Sequence, residues 1–485
     1  MSRPPRITVF GTGYLGTAHA ACLASVGFDV LGVDIDAARI GALQAGRLPF
    51  YEPGLEPLLR EGLRYRRLGF TTSYASAAEF GDVHFICVGT PQLPGAPGAD
   101  LSQFEACFTG LVPLLRRPCL VVGKSTVPPG TAAGYARRLP VAAPAGAGAE
   151  LAWNPEFLRE GHAVADTLRP DRIVAGVRSD RAEATLREVY AEPVAAGVPF
   201  LVTDPATAEL VKAAANAFLA TKISFINAMA EVCEVTGADV LSLADALGRD
   251  PRIGGAALRP GLGFGGGCLP KDIRALAARA AELGVDRALS FLHEVDAING
   301  RRRTRLVDLA REAAGGRLEG RRVGVLGLAF KPGSDDIRDS PALEVAVRIR
   351  ALGARVVAFD PAAMDRARRV HPDLDYTGSV LGAARDADVL LLLTEWPEFS
   401  TADPKVLAKT VARQTVVDAR HALDAAAWRA CGWDYRAPGR PGGIRPAAAS
   451  DGPAARGSGA TDRGVTGAGD AARARVEVAC LAAAS

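Results

Sequence analysis

RITVFGTGYLG, residues Arg6 to Gly16, decides the fold. A short apolar run ends at Phe10 and is cut off by Gly11-Thr12-Gly13-Tyr14-Leu15-Gly16, with Ala and Leu beyond it. That order predicts a buried strand, a glycine turn and a helix opening near Tyr14. Glycines there permit the tight turn and the close approach of backbone to a pyrophosphate, whose charge sits at the helix N-terminus. Gly-x-Gly-x-x-Gly alone is a weak signal, but here it has its strand before it and its helix after it. Asp34 ends the next apolar run, eighteen residues past Gly16. A carboxylate at that place accepts hydrogen bonds from the adenosine ribose and repels a 2′-phosphate, so NAD⁺ is expected over NADP⁺.

Working outward, Asp29–Asp34, Val83–Val88 and Leu120–Gly123 read as further buried strands with helical stretches between them. The alternation predicts a parallel sheet covered on both faces. From Pro205 to about Val235 the chain is Ala- and Leu-rich with no internal Pro or Gly. Thr203 or Asp204 can cap a helix there, and Pro205 suits its first turn. About 28 residues would span about 42 Å. A second alternating region has strands at Val323–Gly327, Arg355–Asp360, Val389–Leu393 and Thr415–Asp418. The expected fold is therefore α/β, two doubly wound (Rossmann-like) domains joined by a long central helix. The expected boundaries are 1–203, 204–304 and 305–436, followed by a tail at 437–485 rich in Ala, Gly, Pro, Arg, Ser and Asp and expected to be disordered, with at most a short helix near Asp470–Ala484.

Composition removes several functions. The chain has 485 residues, 57 basic and 54 acidic, for a net charge of +3. That balance has no footprint for nucleic acid or an anionic membrane. The first apolar run is too short for a secretory core, and no stretch approaches the ~20 apolar residues of a membrane span. A soluble cytoplasmic protein is expected. The eight cysteines form no Cys-x-x-Cys pair, so neither a metal site nor a disulfide framework is expected.

Four further stretches carry chemistry. Lys124-Ser125-Thr126-Val127-Pro128-Pro129-Gly130-Thr131 follows a strand, at the end of the sheet where ligands gather. Asn154-Pro155-Glu156-Phe157-Leu158-Arg159-Glu160-Gly161 places two carboxylates four apart, on one face if helical. Lys212 and Asn216, also four apart, lie among alanines, where a buried lysine costs desolvation. Gly261-Leu262-Gly263-Phe264-Gly265-Gly266-Gly267-Cys268-Leu269-Pro270-Lys271-Asp272 sets one thiol among glycines that let backbone wrap a ligand, at a helix start marked by Pro270. The bland alternatives are a stiff loop, a solvated helix start, an exposed lysine and a structural cysteine.

Seven segments in order, GTGYLG, KSTVPPGT, NPEFLREG, the KAAANAF helix, GFGGGCLPKD, FKPGSDDIRDSP and VVDARHAL, resemble the UDP-glucose/GDP-mannose 6-dehydrogenases over about residues 6–436. The wording is most similar to that of the UDP-glucose 6-dehydrogenases. The resemblance implies two oxidations by NAD⁺ of the sugar's primary alcohol, giving UDP-glucuronate. Cys268 would be the nucleophile, with Lys212, Asn216 and Asp272 around the reacting carbon and a catalytic water. Glu156 would be the base for hydrolysis and Thr126 would help position water. The cofactor would meet Gly11, Gly13, Tyr14, Leu15, Gly16, Asp34, Thr90, Thr126, Glu160 and Arg338. The nucleotide sugar would meet Phe157, Leu158, Glu160, Lys212, Asn216, Phe264, Gly265, Lys331 and Arg420, and Arg252 would reach the substrate of a neighbouring subunit in a homodimer. Gly267 departs from the family pattern, where serine or proline is expected. Rival readings are GDP-mannose or a UDP-N-acetylhexosamine as substrate, a one-step hydroxyacid or phosphogluconate dehydrogenase, and an inactive nucleotide-sugar-binding protein.

Overall fold

Strands buried on both faces need unbroken apolar runs, and the two sheets are built from them. A computed structural model describes residues 3–440. In the first sheet lie β1 (Ile7–Phe10), β2 (Val30–Val33), β3 (Leu68–Thr71), β4 (Val83–Ile86), β5 (Cys119–Gly123), β6 (Ala149–Trp153), β7 (Ile173–Gly176) and β8 (Phe200–Thr203). Their order is β3-β2-β1-β4-β5-β6-β7-β8. The sheet is not wholly parallel as expected: β6 meets β7 antiparallel through Trp153 and Gly176. Between them the chain holds only a six-residue helix, Ala163–Leu168, rather than a helix spanning the sheet, so it returns in the opposite direction.

The second sheet is parallel throughout, with β9 (Arg322–Leu326), β10 (Arg355–Phe359), β11 (Asp375–Tyr376), β12 (Val389–Leu392), β13 (Thr415–Asp418) and β14 (Asp434–Arg436) in the order β11-β10-β9-β12-β13-β14. Each sheet reverses its strand order once, at β1/β4 and at β9/β12, and the crevice beyond the strand ends at such a point is where ligands bind.

Five helices frame the ends of these strands: α1 (Tyr14–Ser25), α2 (Thr131–Ala142), α3 (Pro205–Thr236), α4 (Leu269–Glu282) and α5 (Phe291–Ala313). The long helix α3 runs 32 residues, about 48 Å. Asp204 caps it by accepting from Thr207 N at 3.0 Å, worth about 1 kcal/mol. It stops where Gly237 takes φ 76°. Ala213, Ala217 and Ala220 let it pack closely on Ile273 and Leu276 of α4 and on Leu292 and Val295 of α5. Thus Asn216 on α3 meets Asp272 in the first turn of α4.

Residues 437–440, expected to begin the tail, are instead packed, Ala437 in the core beside the second sheet and Gly439 and Arg440 against α3 and the residues just beyond it. Ala437 is buried, Gly439 N donates to Glu234 at 3.0 Å, and Arg440 pairs with Asp239 at 3.1 Å. The rest of the tail, with the helix considered near residues 470–484, lies outside the described residues. Among the described residues no helix is long and apolar enough to cross a membrane.

Candidate active site

The glycine turn after β1 is shaped for a dinucleotide. Gly11 has φ 85°, and a Cβ on Gly16 would stand 1.8 Å from Gly11 O, so neither position accepts a side chain. A Cβ on Gly13 would meet nothing within 4 Å, which leaves the N-terminus of α1 open to phosphate. Asp34 Oδ2 accepts from Thr12 N at 2.8 Å and pairs with Arg39 at 2.9 Å. Burial works against its charge, but bonds from Asp36 N and Arg39 outweigh it and hold the carboxyl below its ordinary range. These residues fit NAD at the pyrophosphate and the ribose. Arg39 had no signal in the glycine pattern. Tyr14, expected at the cofactor, directs its hydroxyl to Glu52, and the two share the backbone N–H of Gly161.

A cleft lined by Thr90, Thr126, Pro129, Ala213, Lys271 and Asp272 opens between the first sheet and α4. The Thr90 hydroxyl donates to Thr126 O at 2.7 Å and joins the loops that follow β4 and β5. Cys268 sits at the cap of α4, immediately before Leu269 and Pro270. Its residue surface is exposed. Protein mass around it and the charges of Glu156 and Asp272 push its thiol up to about 12, against a smaller opposing pull from Lys212 and Lys271. The resting side chain is therefore a thiol.

Lys212 and Asp272 take different direct partners. Lys212 Nζ lies 3.0 Å from Glu156 Oε1. Burial opposes the charge on Lys212, yet Glu156, Cys268 and Asp272 keep its pKa above the ordinary lysine value. Asp272 instead accepts from Asn216 Nδ2 at 2.6 Å and from Lys271 at 2.5 Å. Lys271, next to Asp272 in sequence, was missed because its partner depends on how α4 turns away from the glycine loop. Glu209, one turn before Lys212, was missed too. It accepts from Gly130 N at 2.7 Å and Ala132 N at 2.5 Å, tying the start of α2 to α3, and burial raises it to about 7.

The segment 154–161 is not a helix, so Glu156 and Glu160 do not share a face. Glu156 Oε2 accepts from Leu158 N at 2.8 Å, which turns the backbone locally. The Phe157 ring lies between Lys212, 5.6 Å away, and Arg172, 4.0 Å away. Glu160 leaves in another direction, where Ser334 donates to it at 2.8 Å and Arg338 lies at 3.5 Å. Burial, with Asp336 beside it, raises Glu160 to about 7.

Residues after β9 and β13 close the other side. Gly265 and Gly266 run against the 336–341 segment: a Cβ on Gly265 would lie 2.2 Å from Asp339 O, and Gly266 N donates to Arg338 O at 2.9 Å. A Cβ on Gly267 would fall 2.4 Å from the Arg338 guanidinium carbon, so glycine there leaves room for that side chain. Phe264 is buried against α3, its backbone held by Asn299 at 2.8 and 3.0 Å. Arg420 donates to Leu393 O at 2.9 Å and to Phe330 O at 3.1 Å, bracing this wall. Lys331, half-buried nearby, is lowered by burial. Arg252 is not brought to this cleft; its guanidinium is 87% exposed and pairs with Asp250 at 2.6 Å.

A glycine turn opening α1, with Asp34 at the end of the second strand, belongs to the nicotinamide-dependent dehydrogenases. Models of the UDP-glucose/GDP-mannose dehydrogenase family match at residues 5–194 (NAD binding domain), 206–301 (central domain) and 324–425 (UDP binding domain). The chain belongs to this oxidoreductase family, and its cofactor is NAD. It is 40% identical to a UDP-glucose 6-dehydrogenase of Rhizobium meliloti (strain 1021), over 90% of this chain and 100% of that one. A UDP-glucose dehydrogenase structure from Pyrobaculum islandicum superposes with TM-score 0.81 at 40% identity, covering 88% of this chain and 96% of the other. A UDP-D-ManNAc dehydrogenase structure from Pyrococcus horikoshii gives TM-score 0.78 at 28% identity, covering 90% and 100%.

Proposed function

We propose that this protein oxidises UDP-glucose to UDP-glucuronate, consuming two NAD⁺ and one water per sugar, through a thiohemiacetal and a thioester on Cys268. The observation that carries the reading is the thiol of Cys268 within electrostatic reach of Glu156, Asp272 and Lys212, with Lys212 paired to Glu156 and Asn216 to Asp272. Bound NAD⁺ supplies the hydride acceptor for both oxidations. Asp272, through a water, takes the proton of the primary alcohol as its hydride leaves. The sulfur of Cys268 then bonds to the aldehyde carbon and the thiol proton passes to the aldehyde oxygen. Loss of a second hydride and of that hydroxyl proton leaves a thioester. Glu156 takes a proton from water, the hydroxide adds to the thioester carbonyl, and the C–S bond breaks to return the thiol and free the carboxylate. Lys212 and Asn216 stabilise the oxyanion, a donor commonly worth ~3–4 kcal/mol.

The same chemistry on GDP-mannose or a UDP-N-acetylhexosamine is the second reading, and similarity to the Pyrococcus horikoshii enzyme supports keeping it. NADH production with a panel of nucleotide sugars tests the two. A kcat/KM for UDP-glucose at least tenfold above the others is expected, and a preference for another sugar overturns the first reading.

In the same proposal the sugar nucleotide rests on Phe157, Leu158, Gly265, Lys331 and Arg420, and Arg338 and Glu160 meet the cofactor. The chain divides at 203/204, 304/305 and 436/437. It acts in the cytoplasm as a homodimer. Phe218, Phe225 and Val232 support the dimer, since they recur every seven residues on α3 and are 66%, 48% and 48% exposed. Arg252 would cross that interface.

A further inference from the structure

Lys124 takes no part in the proposed chemistry, yet it is buried. It is the first residue after β5, and its side chain runs behind the loop that carries Glu156. Nζ donates to Asn154 Oδ1 at 2.9 Å and to the Tyr190 hydroxyl at 3.3 Å, and the Tyr190 hydroxyl donates to the same Asn154 oxygen at 2.5 Å. Asn154 Nδ2 is used as well, donating to Val174 O at 2.8 Å. Both bonds of the ammonium thus go to neutral oxygens, and Phe85 and Tyr190 turn their rings toward it at 5.9 and 5.8 Å. A buried charge so placed is costly, and a well-packed apolar side chain of similar volume commonly replaces one without loss of stability.

The surroundings show what the ammonium holds. Asn154 follows the last residue of β6, Pro155 stiffens the next step, and Glu156 comes after it, 3.0 Å from Lys212. Behind this turn lies a cavity of about 50 Å³ lined by His19, Lys124, Asn154, Glu156, Arg172 and Tyr190, room for roughly three waters. His19 Nε2 is buried there without a protein partner among the described residues. The Asn154 side chain anchors that turn, and Lys124 and Tyr190 grip its oxygen. Burial lowers Lys124 to about 8.

We propose that Lys124, with Tyr190, is a positioning residue for thioester hydrolysis: it clamps Asn154 so that Glu156 is held against Lys212 and aimed at the carbonyl on Cys268. The inference rests on the hydrolytic role proposed for Glu156. It predicts that weakening the clamp slows the last step while leaving both oxidations and substrate binding in place.

Stopped-flow measurement of NADH, with UDP-glucose and NAD⁺ saturating, tests this on the full-length protein. Lys124→Met is expected to give a burst of two NADH per site at close to the wild-type rate. Its steady-state kcat should then be at least tenfold lower, with KM for both substrates within twofold. Tyr190→Phe should shift kcat the same way by a smaller factor, and it carries the test alone if Lys124→Met does not fold. A wild-type kcat in the variants, or a burst and a steady state reduced by one common factor, overturns the clamp. Glu156→Gln separates the two ideas. If it too lacks a burst followed by slow turnover, the hydrolytic role of Glu156 fails; if it has one and the clamp variants do not, only the role of Lys124 fails.

Discussion

Cys268 resting as a thiol has a direct consequence in pH. Its pKa is pushed up to about 12 by the protein mass around the thiol and by Glu156 and Asp272, so the thiolate fraction rises about tenfold per pH unit across the neutral range. Alkylation by iodoacetamide, scored against Cys268→Ser, is expected to accelerate without a plateau from about pH 7 to 10; a plateau near pH 8 would show a thiolate already formed. Cys268→Ser itself should still bind UDP-glucose and NAD⁺ while steady-state turnover is lost, because serine is a poorer nucleophile and leaving group. Lys212→Met removes both an oxyanion donor and the partner of Glu156, and kcat should fall about 10²–10³-fold; a loss below threefold would place Lys212 outside the chemistry. Which residues carry charge and sulfur was readable from a thiol among glycines and a lysine among alanines. Which carboxylate each base takes was not, since Lys212 could meet Glu156 or Asp272 until α3 and α4 are packed.

The elements that position these groups behave as their sequences dictate where the signal is strong. Strands of four or five consecutive buried residues, such as β1, β4 and β12, stand out as apolar runs. Leu68-Gly69-Phe70-Thr71 does not, because a glycine and an alternating pattern hide β3, and β8 at the sheet edge is mostly exposed or half-buried. The Glu156 loop misleads for another reason: a spacing of four reads as a helix face, but Lys212, Leu158 N and Ser334 pull the two carboxylates apart. Helix α3 offers the sharpest test at this scale. Aspartate at both Phe218 and Phe225 should give a monomer by sedimentation with little loss of folded structure, and kcat should fall if Arg252 acts across the interface. A double variant that remains dimeric would move the interface elsewhere.

At the scale of the whole molecule, the two sheets each carry one switch point, with α3 and α4 between them in sequence. The chain after β14 contributes to this body only as far as it packs. A protein ending at Arg440 should keep full activity, whereas one ending at Arg436 loses the packing of Ala437 beside the second sheet and the contacts of Gly439 and Arg440 with α3 and the residues just beyond it, costing about 1–3 kcal/mol; equal stability by denaturant titration would show those contacts to be idle. Two oxidations at one site without release of the aldehyde fix the stoichiometry, and the most direct measurement is a count. A limiting, weighed amount of UDP-glucose is converted to completion with excess NAD⁺, and NADH is read by its absorbance beside a product assay. Two NADH for each UDP-glucuronate formed is the predicted result; one NADH for each sugar, with free aldehyde accumulating, would contradict the account.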